Sequence, residues 1–129
     1  METILIADDD TRLLKALTIR LEHEGFTVIT AQDGYQAVAA ARRDKPALLI
    51  LDINMPAGSG YSVKERIEQN PELAGTPILF VTGDEHAPAP STMGANCALL
   101  HKPFETSQFL DAVWQALGYP VDQLAAKRA

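Results

Sequence analysis

The chain is poor in the residues that staple or metallate small domains. Its one cysteine, Cys97, cannot form an internal disulfide, and the three histidines, His23, His86 and His101, offer no zinc-type spacing with it. A basic surplus is also missing: the formal net charge is −6, which argues against a DNA or RNA surface, since that needs clustered Lys and Arg to displace counterions. Long apolar runs are absent. The longest strand-like runs, such as Leu48–Leu51, fall far short of the roughly 20 residues that cross a bilayer, so no membrane segment is read. Met1-Glu2-Thr3 opens no signal peptide, and a cytoplasmic location is the expectation. What remains is 129 residues, 47% hydrophobic and 22% charged, enough for one core and no second domain.

One stretch organises the rest. Leu48-Leu49-Ile50-Leu51 is a strand-length aliphatic run that ends on Asp52, and Ile53-Asn54-Met55-Pro56-Ala57-Gly58-Ser59-Gly60 after it reads as a shaped loop. A carboxylate at the mouth of a buried strand requires a compensating partner. Thr3-Ile4-Leu5-Ile6-Ala7 is a second continuous apolar strand, and it too runs into carboxylates, Asp8-Asp9-Asp10. Leu13, Leu14, Leu17 and Leu21 recur at helical spacing, with Asp10 or Thr11 to cap the start and Gly25 to stop it. Phe26–Thr30 reads as a short strand of partial alternation, placed at an edge. Asp33-Gly34 turns into a second helix with Ala37, Val38 and Ala41 inward, ended by Lys45-Pro46. A third helix around Val63 and Ile67 stops before Asn70-Pro71. Pro77–Thr82 is the fourth strand and Ala98–His101 a short fifth, before an apolar stripe of Phe109, Leu110, Val113, Trp114 and Leu117 closed by Gly118.

Strands alternating with helices at these spacings give right-handed βαβ units and a parallel sheet covered on both faces. The expected fold is doubly wound α/β, flavodoxin-like, with five parallel strands in the order 2-1-3-4-5. That order sets the first and third strands side by side, so Asp8, Asp9 and Asp52 should converge at their carboxyl ends, where such sheets bind ligands.

Two carboxylates about 4 Å apart repel by roughly 4 kcal/mol at an effective dielectric near 20, and three in one crevice repel more. A cation is the natural remedy, and an all-oxygen donor set with room for water suits Mg²⁺ better than Ca²⁺. Thr82 ends the fourth strand with a hydroxyl, and Lys102 ends the fifth with an ammonium. Acids, a hard cation, one lysine and one hydroxyl suit a phosphoryl group, with a carboxylate as nucleophile forming an acyl phosphate. Asp52, alone at its strand end, is the nucleophile candidate, while Asp8 and Asp9 stand where metal would be held.

The segments Ile4–Asp10, Gln32-Asp33-Gly34, Leu51–Pro56 with Gly60, Val81-Thr82-Gly83 and Lys102-Pro103-Phe104 resemble, in order, the motifs of a response-regulator receiver domain of two-component signalling. The resemblance runs from Ile4 to about Leu117 and is chemotaxis-receiver-like. It implies that Asp52 accepts phosphate from a sensor histidine kinase or a histidine phosphotransfer protein. It also implies that Mg²⁺ is bound by the side chains of Asp9 and Asp52, by the backbone carbonyl of Asn54, and by Asp8 through water. Thr82 would bond the phosphoryl group, Lys102 would pair with it, and the Lys102-Pro103 peptide would be cis. By the same resemblance, Asn54 and Asp84 would fall at the variable positions that tune dephosphorylation in the family. The implied protein is a phosphoacceptor switch, not an enzyme in the ordinary sense, acting as a monomer or a phosphorylation-dependent dimer on an unknown protein target. Residues 1–118 are expected to form the receiver domain and 119–129 a tail, with no output domain.

Two departures stand out. Pro88 and Pro90 fall where the family has a fourth helix, which is therefore expected to be short or irregular. Leu99 replaces the family's switch aromatic three residues before the lysine. Two other readings compete with the switch: a phosphate-independent docking module, and an aspartate-nucleophile Mg²⁺-dependent phosphatase. The latter wants a second acid two residues after the nucleophile, where this chain has Asn54.

Overall fold

A computed structural model of the protein describes residues 2–87, 94 and 96–119. The described elements run β1 (Thr3–Ala7), α1 (Thr11–His23), β2 (Thr27–Ala31), α2 (Gly34–Asp44), β3 (Leu48–Asp52), α3 (Gly60–Glu68), β4 (Ile78–Thr82), β5 (Cys97–His101) and α4 (Thr106–Ala116). The five strands are all parallel and lie in the order β2-β1-β3-β4-β5, as the aliphatic runs imply.

Every residue of β3 and β4 is buried, which explains why these strands carry apolar side chains on both faces. Their side chains divide by alternation between two cores. Leu5, Leu49, Leu51, Ile78 and Phe80 pack with Ala37, Val38, Ala41, Val63 and Ile67 of α2 and α3. Ile4, Ile6, Ile50, Leu79 and Val81 pack on the other face with Leu14, Leu17, Leu21, Phe109, Leu110 and Val113 of α1 and α4. β2 lies at the edge and is only partly covered, as its mixed composition indicates.

The helix ends are made by local chemistry. Asp10 caps α1, its side chain accepting from the Arg12 and Leu13 N–H groups, so the third acid of the Asp8-Asp9-Asp10 run serves the helix. Asp33 caps α2 by accepting from Gln36 N–H, and Lys45 closes it in the left-handed region at φ 45°. Gly118, at φ 101°, follows α4, and Tyr119 turns back to set its ring edge-on to Trp114 at 4.9 Å.

Four strands differ by a residue from the sequence expectation, which starts β2 at Phe26, β3 at Ala47, β4 at Pro77 and β5 at Ala98, whereas β5 begins at Cys97. Ala47 and Pro77 sit just outside β3 and β4, because Ala47 N–H donates to Thr3 before the ladder begins and Pro77 has only a carbonyl to offer, which Leu49 N–H uses. β2 begins at Thr27 and extends to Ala31. Between β4 and β5, Gly83–Ala87 forms a turn in which Ala87 N–H donates to the Asp84 carbonyl at 3.3 Å. Residues 88–93 and 95, on which the expected short or irregular helix falls, lie outside the described residues. Among the described residues, no helix is long and apolar enough to cross a membrane.

Candidate functional site

The carboxyl ends of β1, β3, β4 and β5 deliver the acids, the hydroxyl and the ammonium to one crevice. β1 and β3 are direct neighbours, with Ala7 paired to Leu51, so the residues that follow, Asp8 and Asp52, emerge side by side. Carboxylate oxygens of Asp8, Asp9 and Asp52 all lie within 4.8 Å of one another. Asp8 and Asp52 are buried, at 3% and 6% exposure, whereas Asp9 is exposed at the rim.

Lys102 reaches across from the end of β5. Its Nζ lies 2.9 Å from Asp8 Oδ2 and 3.7 Å from Asp52 Oδ2, so its primary partner is Asp8 and it bridges the two buried acids. Two backbone groups complete the acids' partners: Asp10 N–H donates to Asp8 Oδ1 at 2.9 Å, and Asn54 N–H donates to Asp52 Oδ1 at 3.3 Å. Lys102 is held in turn by its own N–H, which donates to the Thr82 carbonyl at 2.7 Å, and it is followed by a cis peptide to Pro103. Thr82 is fully buried, and its Oγ1 accepts from Asp84 N–H at 3.0 Å.

Charge in this crevice is unbalanced. Three carboxylates face one ammonium, which leaves two formal negative charges. Burial, and next the Asp8 carboxylate, push the Asp52 carboxyl above its ordinary range; Lys102 and the Asn54 N–H pull it back, and Asp9 pushes it up again. Burial disfavours the Lys102 ammonium, yet its bond to Asp8 and the charges of Asp8, Asp52 and Asp10 outweigh that, so it is held above the usual lysine range. An all-oxygen donor set with two surplus negative charges fits a hard divalent cation, with a binding preference that neither histidine nor thiolate modifies.

The other residues singled out in the sequence lie elsewhere. His23, His86 and His101 are exposed. Cys97 is a free thiol, half-buried on β5. Leu99, paired with Phe80 across β4 and β5, packs against the core shared with α2 and α3, and an aromatic from elsewhere, Tyr61 of α3, sits 5.7 Å from the Phe80 ring. A cavity of about 590 Å³ between β5 and α4, lined by Leu99, Gln108, Asp111 and Gln115 among others, has no convergent charged set. What the sequence did not single out is the pairing of Lys102 with Asp8, which depends on the relative heights of two strand ends that are not adjacent in the sheet.

The fold and crevice define a class: a doubly wound sheet that presents three clustered carboxylates and a lysine at its switch point. Residues 4–114 match the family model of the response regulator receiver domain, and the chain belongs to that family. Members of it are signalling switches of two-component systems, not conventional enzymes, and generally bind Mg²⁺ at the acidic site.

Among the relatives, Protein PilH of Pseudomonas aeruginosa is 35% identical over 82 residues, covering 64% of this chain and 68% of its own. The probable transcriptional regulatory protein TcrX of Mycobacterium tuberculosis is 37% identical over 83 residues, covering 64% of this chain but 35% of its own. The chain thus spans about a third of TcrX, and half of the YkoG regulator of Bacillus subtilis. Among solved structures, a response regulator from Chloroflexus aurantiacus is 31% identical with a TM-score of 0.82, covering 92% of this chain and 98% of its own. The chemotaxis response regulator CheY4 of Vibrio cholerae is 28% identical with a TM-score of 0.81, covering 90% of this chain and 98% of its own.

Proposed function

We propose that the chain is a phosphorylation-dependent switch in a phosphorelay, in which Asp52 accepts a phosphoryl group from a histidine on a sensor kinase or a phosphotransfer protein. The observation that carries this reading is the Lys102 ammonium lying between the buried Asp8 and Asp52 carboxylates, with two negative charges left over for a divalent cation. A Mg²⁺ ion bound by Asp9 and Asp52, by the Asn54 backbone carbonyl and through water by Asp8 would supply positive charge to offset the phosphoryl oxygens.

Asp52 is the nucleophile. One of its carboxylate oxygens bonds to phosphorus as the phosphorus–nitrogen bond of the donor phosphohistidine breaks, and the imidazole leaves with the electron pair. Lys102 then exchanges its bond to Asp8 for one to a phosphoryl oxygen, a move that its position between both acids allows without relocating the β5 terminus. The Thr82 hydroxyl, which now accepts from Asp84 N–H, turns to donate to another phosphoryl oxygen. That exchange releases the Gly83–Ala87 turn from the strand end and shifts the population of its arrangements, the change a partner protein reads. Water attack on phosphorus later returns free Asp52 and inorganic phosphate, with Asn54 and Asp84 flanking the approach. The setting for this cycle is the cytoplasm, and the target is a protein.

Intact mass spectrometry after incubation with acetyl phosphate and Mg²⁺ tests the reading. A single phosphoryl adduct that chelator prevents supports it. No adduct under any condition would set it aside in favour of a phosphate-independent docking role, and turnover of a small phosphate ester would favour the phosphatase.

A further inference from the structure

The Gln32-Asp33-Gly34 stretch resembles a family motif, and its Asp33 carboxylate is engaged in capping α2. Its glycine makes a different contact. Gly34 is the first residue of α2 and is buried, and a Cβ built on it would lie 2.4 Å from the Gly58 carbonyl oxygen, 2.7 Å from that of Ala57 and 2.9 Å from the Gly58 carbonyl carbon. All three are backbone atoms, so no side-chain rotation relieves the contact. Gly34 N–H also donates to the Pro56 carbonyl at 3.1 Å. The start of α2 is therefore seated directly on Pro56, Ala57 and Gly58.

The same loop is gripped at its far end. A Cβ on Gly60 would lie 2.8 Å from the Asp52 carbonyl oxygen and 3.1 Å from Ile53 Cα, while Gly60 N–H donates to the Ile53 carbonyl at 2.9 Å. Neither Gly34 nor Gly60 has a positive φ, so the demand for glycine at both is close approach and not backbone torsion. The segment between the two grips carries Asn54, whose N–H holds Asp52 Oδ1. Ala57, at φ 54°, adopts a conformation that side chains rarely take, which shows that contacts around the loop dictate its path.

We propose that Gly34 is a positioning residue for the phosphoryl-acceptor site: the bare start of α2 is a seat that fixes the β3–α3 loop, and through it the Asn54 carbonyl and the Asp52 carboxylate, for the divalent cation. The proposal rests on the functional reading above. Gly34→Ala leaves the sheet and the buried face of α2 intact but pushes the Pro56–Gly58 backbone away from its seat.

Mg²⁺ titration of the whole chain, followed by ¹H–¹⁵N spectra and calorimetry, is the test. The Gly34→Ala variant should keep a folded spectrum while its Mg²⁺ dissociation constant rises about tenfold, the scale typical for removing an outer support of a metal ligand. Acetyl-phosphate labelling should be recovered at saturating Mg²⁺. Gly75→Ala, a glycine whose added Cβ would meet nothing within 4 Å, should bind as wild type does. Wild-type affinity in folded Gly34→Ala would overturn the seat. Should that variant not fold, wild type alone decides: the Gly34 and Gly58 amides should shift along the same isotherm as Asn54, and silence at both while Asn54 saturates would refute the proposal. A wild-type chain that binds no Mg²⁺ would instead refute the functional reading beneath it.

Discussion

Replacing Asp52 by asparagine should stabilise the protein when divalent cations are absent. The Asp52 carboxylate is buried within 4.8 Å of oxygens of Asp8 and Asp9, and 3.7 Å from Lys102 Nζ. At an effective dielectric near 20, a carboxylate pair at that separation repels by roughly 3.5 kcal/mol, and the lysine contact attracts by about 4.5 kcal/mol. Two repulsions exceed one attraction, and burial adds to the cost of the charge. Screening at the exposed Asp9 reduces the balance to about 1–2 kcal/mol in favour of the neutral side chain. The replacement amide oxygen still accepts from Asn54 N–H, so no backbone donor is orphaned. For a chain of this size the gain corresponds to a Tm higher by roughly 3–8 °C.

The pH dependence follows from the same direction. Burial and Asp8 raise the Asp52 carboxyl, so the folded protein holds that proton more tightly than the unfolded chain does. Between the ordinary carboxyl value and the raised one, wild-type stability falls as pH rises, and above that window the ionised group is a constant cost. The advantage of Asp52→Asn is therefore small near pH 4 and larger at neutral pH. Calorimetric unfolding in chelator at both pH values measures it, and repeating the neutral scan with Mg²⁺ should let wild type draw level or move ahead. A variant no more stable than wild type in chelator at neutral pH would refute the electrostatic account of the crevice.

Other substitutions separate the roles of the site residues. Lys102→Met removes the ammonium that occupies Asp8, so Mg²⁺ should bind the folded variant more tightly while acetyl-phosphate labelling slows at saturating Mg²⁺; calorimetric titration and time-resolved intact mass measure the two effects. Thr82→Ala leaves the nucleophile and the cation site untouched, so labelling should persist, while the phosphorylation-dependent shifts of the Asp84 and Glu85 amides in ¹H–¹⁵N spectra should be lost. Phe80→Ala opens a cavity beneath Tyr61 and Leu99 in a strand with no exposed residue, and should cost about 3–5 kcal/mol in denaturant unfolding.

Sequence and structure agree where the information is local or strictly periodic. Buried parallel strands announce themselves as Ile4-Leu5-Ile6 and Leu48–Leu51, since nothing polar survives with helices on both faces. Once their order is set, Asp8 and Asp52 must emerge together, so the acidic crevice was legible before any coordinates. Contacts between distant backbones are a different matter. Gly34 reads in sequence as a turn residue, and its partners at Ala57 and Gly58 lie more than twenty positions away with no pattern to link them. Lys102 likewise reads as a general neutraliser, and its nearer bond to Asp8 than to Asp52 depends on a reach across two strands. Asp10 shows the converse: its place just before the periodic leucines already makes it a cap candidate, and it caps α1 and leaves Asp8 and Asp9 for the crevice.

The central claim is that Asp52 is the phosphoryl acceptor, and trapping the acyl phosphate tests it at the level of the residue. The protein is incubated with acetyl phosphate and Mg²⁺, reduced with borohydride, digested and sequenced by mass spectrometry. The account predicts homoserine at position 52 and nowhere else, and none when chelator replaces Mg²⁺. Homoserine at position 8 or 9 with Asp52 intact would contradict it.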